Sequence, residues 1–212
     1  MAGVELDHLV VTAPDLASGI DFVERRLGCS MLPGGHHHRM GTHNALLRVG
    51  PRAYLEVISV APDAPAGLRP RWFALDDLRP GDAPRLATWV VRTPRIAADA
   101  AALGPLVGPV EAMSRGALSW QITIPADGSL PLGGVLPSLI QWDAAPHPAT
   151  RLPLSPVTLV RLTARGAGAS DALSRLQGLG FRGEVELDFA EGAPEQGLQA
   201  VFRTATGDEI VL

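Results

Sequence analysis

The sequence has no lysine, a single cysteine and a single tyrosine among its 212 residues. All 18 basic residues are arginine, and 22 residues are acidic, so the formal net charge is −4. Because the chain has no cluster of basic residues, nucleic-acid binding is not expected. Cys29 is the only cysteine and therefore cannot form an internal disulfide bond.

Long apolar runs are missing as well, and no segment reaches the length of a transmembrane helix. The first ten residues lack the basic segment and the apolar core of a signal peptide. These absences favour a cytoplasmic protein without a membrane partner. What the chain does have is a hydrophobic content of 46%, over a length that suits one large domain or two small ones.

One pattern of residues occurs three times along the chain. An apolar strand, a turn and a short helix that ends at a glycine are predicted over residues 6–28, 86–104 and 159–180. In the first copy, Pro14 and Asp15 supply the residues typical of a helix start, and Gly28 is a natural helix stop. Strand-like segments follow each copy, so the sequence predicts βαβββ modules.

The modules give an α+β fold class with mixed sheets and a simple division of the chain. Residues 1–60 form the first module, 61–85 a crossover, 86–145 the second module and 156–212 a looser, partial third module. The proline-rich composition between the second and third modules is typical of a linker. The third module is expected to be structural: its apolar face covers part of the two-module sheet, and it binds no ligand or metal.

Four of the six histidines lie between Gly34 and Asn44, in the stretch "GGHHHRMGTHN". Neighbouring residues on a strand point to opposite faces, so three consecutive histidines cannot all reach one ion. His36 and His38 could share a face. This stretch is expected to contribute to substrate binding at a pocket rim rather than to supply the main metal ligands.

The motifs "LDHLVV", "GGHHHRMGTHNALLRVG", "AYLEVISVAPDAP" and "LIQWDAAPHP" resemble the vicinal oxygen chelate superfamily, and in particular its bacterial glyoxalase-like domain proteins. The resemblance implies that two βαβββ modules form one cup-shaped sheet with a metal ion inside. The ligands would come from the first and last strands of each module. By position, these are His8 and Glu56, then Thr88 and Gln141; Arg161 takes the place of His8 in the third module.

The resemblance further implies a metal-dependent enzyme, of the lyase, isomerase or dioxygenase type, that acts on a small oxygenated substrate. A divalent ion (Zn, Ni, Mn or Fe) would be held by His8, Glu56 and Gln141, because the hydroxyl of Thr88 is a poor ligand. An open coordination position would polarise the substrate, and Glu56 would be the catalytic base. The alternative is a metal-free protein that binds or sequesters a small molecule, for example in resistance.

Further residues are expected to contact the substrate, in a chain that is a monomer or a homodimer. A three-residue turn after the third strand would turn Asn44 into the cup, whereas a two-residue turn would turn His43 into it. The predicted substrate-binding residues are His36, His38, His43, Asn44, Arg48 and Trp89. For the tryptophan, packing in the core is the ordinary alternative.

Overall fold

The computed structural model describes residues 3–65, 69–143, 146–183, 185–192 and 197–212. Its helices are α1 (Leu16–Leu27), α2 (Ile96–Leu103) and α3 (Ala169–Gly178). Its strands are β1 (Glu5–Thr12), β2 (Leu32–His37), β3 (Thr42–Gly50), β4 (Ala53–Val60), β5 (Arg85–Arg92), β6 (Val110–Arg115), β7 (Leu118–Thr123), β8 (Ser138–Trp142), β9 (Val157–Arg165), β10 (Glu186–Ala190), β11 (Gly197–Thr204) and β12 (Glu209–Val211). None of the helices in these ranges is long and apolar enough to cross a membrane.

The first two modules form one eight-stranded mixed sheet with the strand order β2-β3-β4-β1-β5-β8-β7-β6. Within each module the first and last strands pair in parallel, β1 with β4 and β5 with β8. The antiparallel pair β1–β5 joins the modules at the centre of the sheet. The sheet curls until its edge strands approach each other, and Arg39 after β2 donates a hydrogen bond to the Ala112 carbonyl on β6. We call its concave face the cup.

Residues at both ends of α1 explain its boundaries. The Asp15 side chain accepts a hydrogen bond from the Ser18 backbone N–H, which satisfies one of the free donors of the first turn. At the other end Gly28 adopts a left-handed conformation with φ 66°, and its N–H bonds to the Glu24 carbonyl. The predicted start and stop of this helix are confirmed.

A β-bulge in β1 changes which residues face the cup. Against β5, Leu6 pairs with Val91 and His8 pairs with Val90, so Asp7 is an extra residue without a partner. Leu6 and Leu9 both belong to the core on the convex side. In a regular strand, residues three positions apart would point to opposite faces. The bulge therefore allows Asp7 and His8, which are adjacent in the sequence, to lie on the same side.

The turn between β3 and β4 decides the register of the histidine-rich strand. The turn itself is short, but a second irregularity between Arg48 and Gly50 adds one residue to β3. As a result Asn44 lies opposite Ile58, which is the register predicted for a three-residue turn. Asn44 is buried and faces the cup, while His43 is turned away from it.

The third module forms a separate four-stranded sheet with the order β10-β9-β11-β12. It keeps the predicted order of elements, but its first strand lies between β10 and β11 and does not pair with its last strand. The apolar face of this sheet packs on the convex side of the eight-stranded sheet in one continuous core. Trp89 of β5 lies at this junction, with its ring centroid 6.1 Å from that of Phe181 and 6.4 Å from that of Phe189.

Candidate functional site

The cup holds a cavity between the two modules with one polar wall and one apolar wall. Its polar lining consists of His8, His37, Tyr54, Glu56 and Arg115. Its apolar lining consists of Trp72, Phe73, Trp120, Ile122, Ile140 and Trp142. The cavity is narrow, with a volume of about 20 Å³. A water molecule fits as it stands, whereas a larger ligand requires side chains to move.

Asp7 and His8 form a buried pair at the base of the polar wall. Asp7 is fully buried, and its Oδ1 lies 2.7 Å from His8 Nδ1. The Asp7 Oδ2 accepts hydrogen bonds from Trp142 Nε1 at 2.9 Å and from His147 Nε2 at 2.8 Å. Three donors thus converge on one carboxyl group, and two of them come from the last strand of the second module and the linker that follows it.

These contacts decide the charge of Asp7. Burial alone would raise the pKa of its carboxyl group, but the hydrogen bonds from His147 and His8 outweigh burial and hold that pKa well below its ordinary value. Asp7 is therefore a carboxylate and can only accept. His147 Nδ1 accepts the Ala149 backbone N–H, so the hydrogen that His147 donates to Asp7 lies on Nε2.

The same logic orients His8. Because Asp7 accepts, His8 Nδ1 carries a proton, and the free ring nitrogen Nε2 points to Glu56 Oε2 at 3.5 Å. The imidazole stacks on the Tyr54 ring at 4.5 Å between centroids, with 13° between the planes, which fixes its plane. Burial, reinforced by the charges of Asp7 and Glu56, raises the pKa of Tyr54 well above its ordinary value, so its hydroxyl group stays protonated.

Asn44 holds the other oxygen of Glu56. Its amide donates to Glu56 Oε1, while its Oδ1 accepts from the Gly35 N–H at 2.9 Å and from Arg115 Nη1 at 3.1 Å. These acceptor contacts determine which way the amide is oriented. Gly34 leaves room for it, because a Cβ atom at that position would lie 2.0 Å from Asn44 Oδ1. Glu56 is 95% buried and thus has an amide donor on Oε1, while the His8 ring lies beside Oε2.

His37 is the histidine of the "HHH" run that enters the cup. Arg115 Nη1 lies 3.3 Å from its Nε2, and its Nδ1 lies 3.1 Å from Thr42 Oγ1. Since the guanidinium only donates, Nε2 accepts and Nδ1–H donates to Thr42. Burial, together with the positive charge of Arg115, lowers the pKa of His37 to about 3, so this ring is neutral near pH 7.

The apolar wall contains one polar atom without a partner. The indole nitrogen of Trp72 is buried, and no atom of the described residues accepts its hydrogen. Trp72 lies in the segment Trp72–Asp77, where Phe73 and Ala74 have positive φ angles of 60° and 55°. Such angles are unusual for residues other than glycine, and they mark this segment of the cavity wall as strained.

One of the three predicted metal ligands lies outside the cavity lining. Gln141 faces away from the cup, and its Oε1 accepts the Ile96 N–H at the start of α2. Its neighbours Ile140 and Trp142 line the cavity instead, so the alignment of "LIQWDA" with "YLEVIS" was wrong by one residue. Thr88 is buried, with its hydroxyl group 3.4 Å from the Gly134 carbonyl oxygen, and it is not part of the cavity lining.

Two predicted substrate-binding residues are also in other places. Trp89 is fully buried on the convex side, where its indole donates to the Val135 carbonyl at 3.0 Å. The guanidinium of Arg48 donates to the carbonyls of Gly50, Pro51 and Leu152, so it holds the β3–β4 turn against the linker. Both residues are structural, and neither lines the cavity.

The remaining histidines surround the mouth of the cup rather than its interior. His36 and His38 are exposed and line an outer depression that shares Arg115 with the cavity. His43 lies beside His36, with 5.6 Å between ring centroids, and is partly exposed. His36 and His38 share a face, as predicted, but it is the outer face, and the central His37 points inward.

Sequence reasoning missed Asp7, His37, Arg115 and His147. For Asp7 the available signal was a carboxylate inside an apolar strand, which is costly to bury without partners. His147 was visible only as a histidine in a proline-rich linker. Arg115 had no distinguishing pattern, because its role depends on the approach of two edge strands from different modules.

A family model described as a glyoxalase-like domain matches residues 6–180. The chain belongs to the glyoxalase-like domain family. This confirms the resemblance to the vicinal oxygen chelate superfamily and agrees with the curled sheet of paired βαβββ modules. No curated protein matches the chain.

Solved structures share the architecture of this glyoxalase-like domain at low sequence identity. A hypothetical protein from Staphylococcus aureus is 17% identical, with a TM-score of 0.57 over 81% of this chain and 72% of its own. A methylmalonyl-CoA epimerase in complex with methylmalonyl-CoA is 19% identical, with a TM-score of 0.47 over 69% of this chain and 100% of its own. The methylmalonyl-CoA epimerase from Mycobacterium tuberculosis is 21% identical, with a TM-score of 0.41 over 66% and 88% of the two chains. At these identities the likeness concerns the fold alone.

The glyoxalase-like cup does not provide the donors for the predicted metal centre. Its two available donor groups are His8 Nε2 and Glu56 Oε2, and no cluster of three His, Cys, Asp or Glu side chains converges within the described ranges. Catalytic zinc sites ordinarily have three protein ligands. Gln141, which was expected to complete the set, accepts the Ile96 N–H instead, and the Thr88 hydroxyl group is not part of the cavity lining. The side chains present therefore do not fit a resident divalent ion.

Proposed function

We propose that this glyoxalase-like domain is an enzyme that transfers a proton on a small oxygenated substrate, with His8 and Glu56 as its acid–base pair. The observation that carries the proposal is the 3.5 Å separation of His8 Nε2 and Glu56 Oε2. Both atoms accept hydrogen bonds unless one of them is protonated, so the pair is arranged to share a proton. The reaction class is isomerase or lyase chemistry at a carbon next to a carbonyl group.

The surroundings of the pair suit an enolising reaction. Glu56 takes the proton from the carbon, and the electron pair of the C–H bond moves onto the carbonyl oxygen. His8, protonated on both nitrogens, donates from Nε2 to that oxygen while the Asp7 carboxylate balances its charge. A positioned imidazolium thus supplies the stabilisation that a metal ion supplies elsewhere. The return of the proton completes the cycle.

The apolar wall supports a second candidate, a protein that binds a small molecule without changing it. This wall contains four aromatic side chains, and one of them, Trp72, offers a buried N–H donor with no acceptor among the described residues. Such a wall suits an apolar or aromatic ligand with one acceptor group. In this candidate, His8 and Glu56 only orient the ligand.

Hydrogen–deuterium exchange separates the two candidates. Small 2-oxo acids, 2-hydroxy ketones and 1,3-dicarbonyl compounds are incubated with the protein in D₂O and followed by NMR. We expect catalysed deuterium uptake at the carbon next to the carbonyl, and a loss of about 10²-fold or more in Glu56→Gln. The control Glu209→Gln makes the same chemical change on an exposed residue of β12 and should leave the rate unchanged.

The possible outcomes of the exchange experiment distinguish the enzyme from the binding protein. Compounds that bind but never exchange would support the binding protein and reject the enzyme. Exchange that survives in Glu56→Gln would reject Glu56 as the base. Exchange that stops on treatment with a chelator and returns only with a stoichiometric divalent ion would show that the metal-dependent reading of the family applies after all.

A further inference from the structure

An open depression lies directly outside the cup and is not used by the chemistry proposed above. It has an empty volume of about 840 Å³ and lies between the β2–β3 region and the β6–β7 turn. Four side chains with basic groups line it: His36, His38, Arg115 and Arg151. The rest of its lining is small or apolar. We call it the rim depression.

The charge of the rim depression is unusual for this protein. The chain as a whole has a net charge of −4, but the described residues that line this depression include no acid. Throughout the described ranges, neither Arg115 nor Arg151 forms an ion pair with a carboxylate, whereas ten other arginines do. Two arginines without a carboxylate partner in one concave surface make a site that favours anions.

Local backbone features keep this surface open. Gly34 and Gly35 have no side chains to fill it, and a Cβ atom on Gly35 would already lie 3.0 Å from Arg115 Cδ. The β6–β7 turn passes through Gly116 and Ala117, which are also small. Arg151 reaches the depression from the linker that follows the second module.

Arg115 connects the rim depression to the cup, because it lines both. Its Nη1 donates to Asn44 Oδ1, and the amide of Asn44 donates to Glu56. A group bound in the depression would therefore lie one side chain away from the network that holds the proposed base.

We propose that the rim depression is a binding site for an oxyanion, a carboxylate, phosphate or sulfate, carried by the molecule whose other end enters the cup. The anion is held by Arg151 and by the outer nitrogens of Arg115, with His36 and His38 at its sides. Binding of an oxyanion at this site does not depend on the proposed reaction. The inference that the oxyanion is part of the substrate rests on the proposed function. The oxyanion site narrows the proposed substrate class to small anionic molecules. The end of such a molecule that enters the cup carries an oxygen function on an otherwise apolar group.

Titration with inorganic phosphate tests the site without a known substrate. Binding to the full chain is followed by calorimetry and by the NMR signals of the histidine rings. We expect saturable binding that shifts the His36 and His38 signals, weakened at least five-fold in Arg151→Gln and in His38→Gln. Arg203→Gln removes the same charge from the exposed face of β11 in the other sheet and should bind phosphate like the unaltered protein.

The outcomes distinguish this site from the proposed reaction. Phosphate that binds Arg151→Gln and the unaltered protein equally, or that does not bind at all, overturns the site. Acetate and methyl phosphate in parallel titrations show whether a carboxylate or a phosphate is preferred. Phosphate binding by the unaltered protein without any exchange activity keeps the site and rejects the reaction. Exchange activity with unchanged KM in Arg151→Gln keeps the reaction and rejects the site's place on the substrate.

Discussion

Asp7 connects the two modules and also orients His8. It ties the first strand of the first module to Trp142 and His147, which come from the end of the second module. It also fixes the proton of His8 on Nδ1 and so leaves Nε2 directed at Glu56. One carboxylate thus links the assembly of the two modules to the chemistry of the site.

Asparagine has nearly the same size as aspartate but carries no negative charge. Asp7→Asn therefore tests the carboxylate without a change in side-chain volume. An amide has only one accepting oxygen, so at least one of the three buried donors would lose its partner. We expect the free energy of unfolding to fall by about 2–4 kcal/mol in urea titrations. Exchange activity should fall by about 10²-fold or more, because the imidazolium of His8 would lose the carboxylate that orients it and balances its charge.

The exposed Asp188 on β10 offers a matched control for that change. Asp188→Asn should change the free energy of unfolding by less than about 0.5 kcal/mol. If Asp7→Asn were as stable and as active as Asp188→Asn, the carboxylate would have no role beyond filling space.

The lowered pKa of His37 predicts that the stability of the folded protein depends on pH. Its pKa of about 3 lies below the ordinary value of 6.5, so between these values the unfolded chain binds a proton that the folded protein does not. Stability from this group is complete above pH 6.5 and is lost as the pH falls. The loss should reach about 2 kcal/mol at pH 5, from about 1.4 kcal/mol per pH unit.

The measurement compares urea unfolding at pH 7 and pH 5 in the unaltered protein and in His37→Gln. Glutamine cannot bind the proton, so the difference between the two pH values should shrink by about 2 kcal/mol in the variant. An equal difference in both proteins would mean that His37 is protonated in the folded state at pH 5.

Single residues also show how far the sequence alone could predict the site. His8 and Glu56 were predicted from their matching positions in a module, and the structure brings them within 3.5 Å. Asp7 could not be predicted to lie beside them, because regular alternation puts neighbours on opposite faces and only the bulge changes this. The same kind of one-residue difference misplaced Gln141, whose partner in the adjacent strand is Gln121.

At the scale of elements, the segment Trp72–Asp77 is the strained part of the cavity wall. Phe73 and Ala74 both have left-handed backbone angles, and the Ala74 N–H is held by the Gly128 carbonyl at 2.8 Å. This segment contributes Trp72 and Phe73 to the cavity. Since the cavity is nearly filled, a ligand larger than water requires lining side chains to move.

Ala74→Gly should relieve part of that strain. We expect the free energy of unfolding to rise by about 0.5–1 kcal/mol, because glycine adopts φ near 55° without the clash of a Cβ atom. Ala101→Gly, on the exposed side of α2, should instead lose about 1 kcal/mol. Destabilisation of equal size in both variants would show that the Trp72–Asp77 segment is not strained.

Other elements were predicted with mixed success for a physical reason. Strands and helices of the first two modules follow from local apolar patterns, and α1 starts and ends at the capping residues that the sequence contains. The strand pairing of the third module does not follow from such patterns. The sequence pattern of β9 resembles that of β1, but β9 lies between β10 and β11, whereas β1 pairs with the last strand of its module. The order of strands in a sheet depends on contacts between distant segments.

For the whole molecule, the C-terminal sheet protects the convex side of the cup. The core there is shared by both sheets and includes Leu9, Trp89, Leu162 and Phe202. A fragment of residues 1–155 keeps the linker with His147 but exposes this apolar surface. We expect it to aggregate during size-exclusion chromatography, while the full chain elutes as a discrete species. A soluble, folded fragment that binds phosphate and retains exchange activity would show that the C-terminal sheet is dispensable.

The division of the cup into a polar and an apolar wall has a stereochemical consequence. The groups of the described lining that can take or give a proton, His8, His37, Tyr54 and Glu56, all come from the first module. The second module contributes Ile122, Ile140, Trp120, Trp142 and the permanently charged Arg115 to that lining. A flat carbanion bound between the walls would meet a proton donor on one side only. Its product would therefore have a single handedness, and deuterium would enter at one of two mirror-related positions.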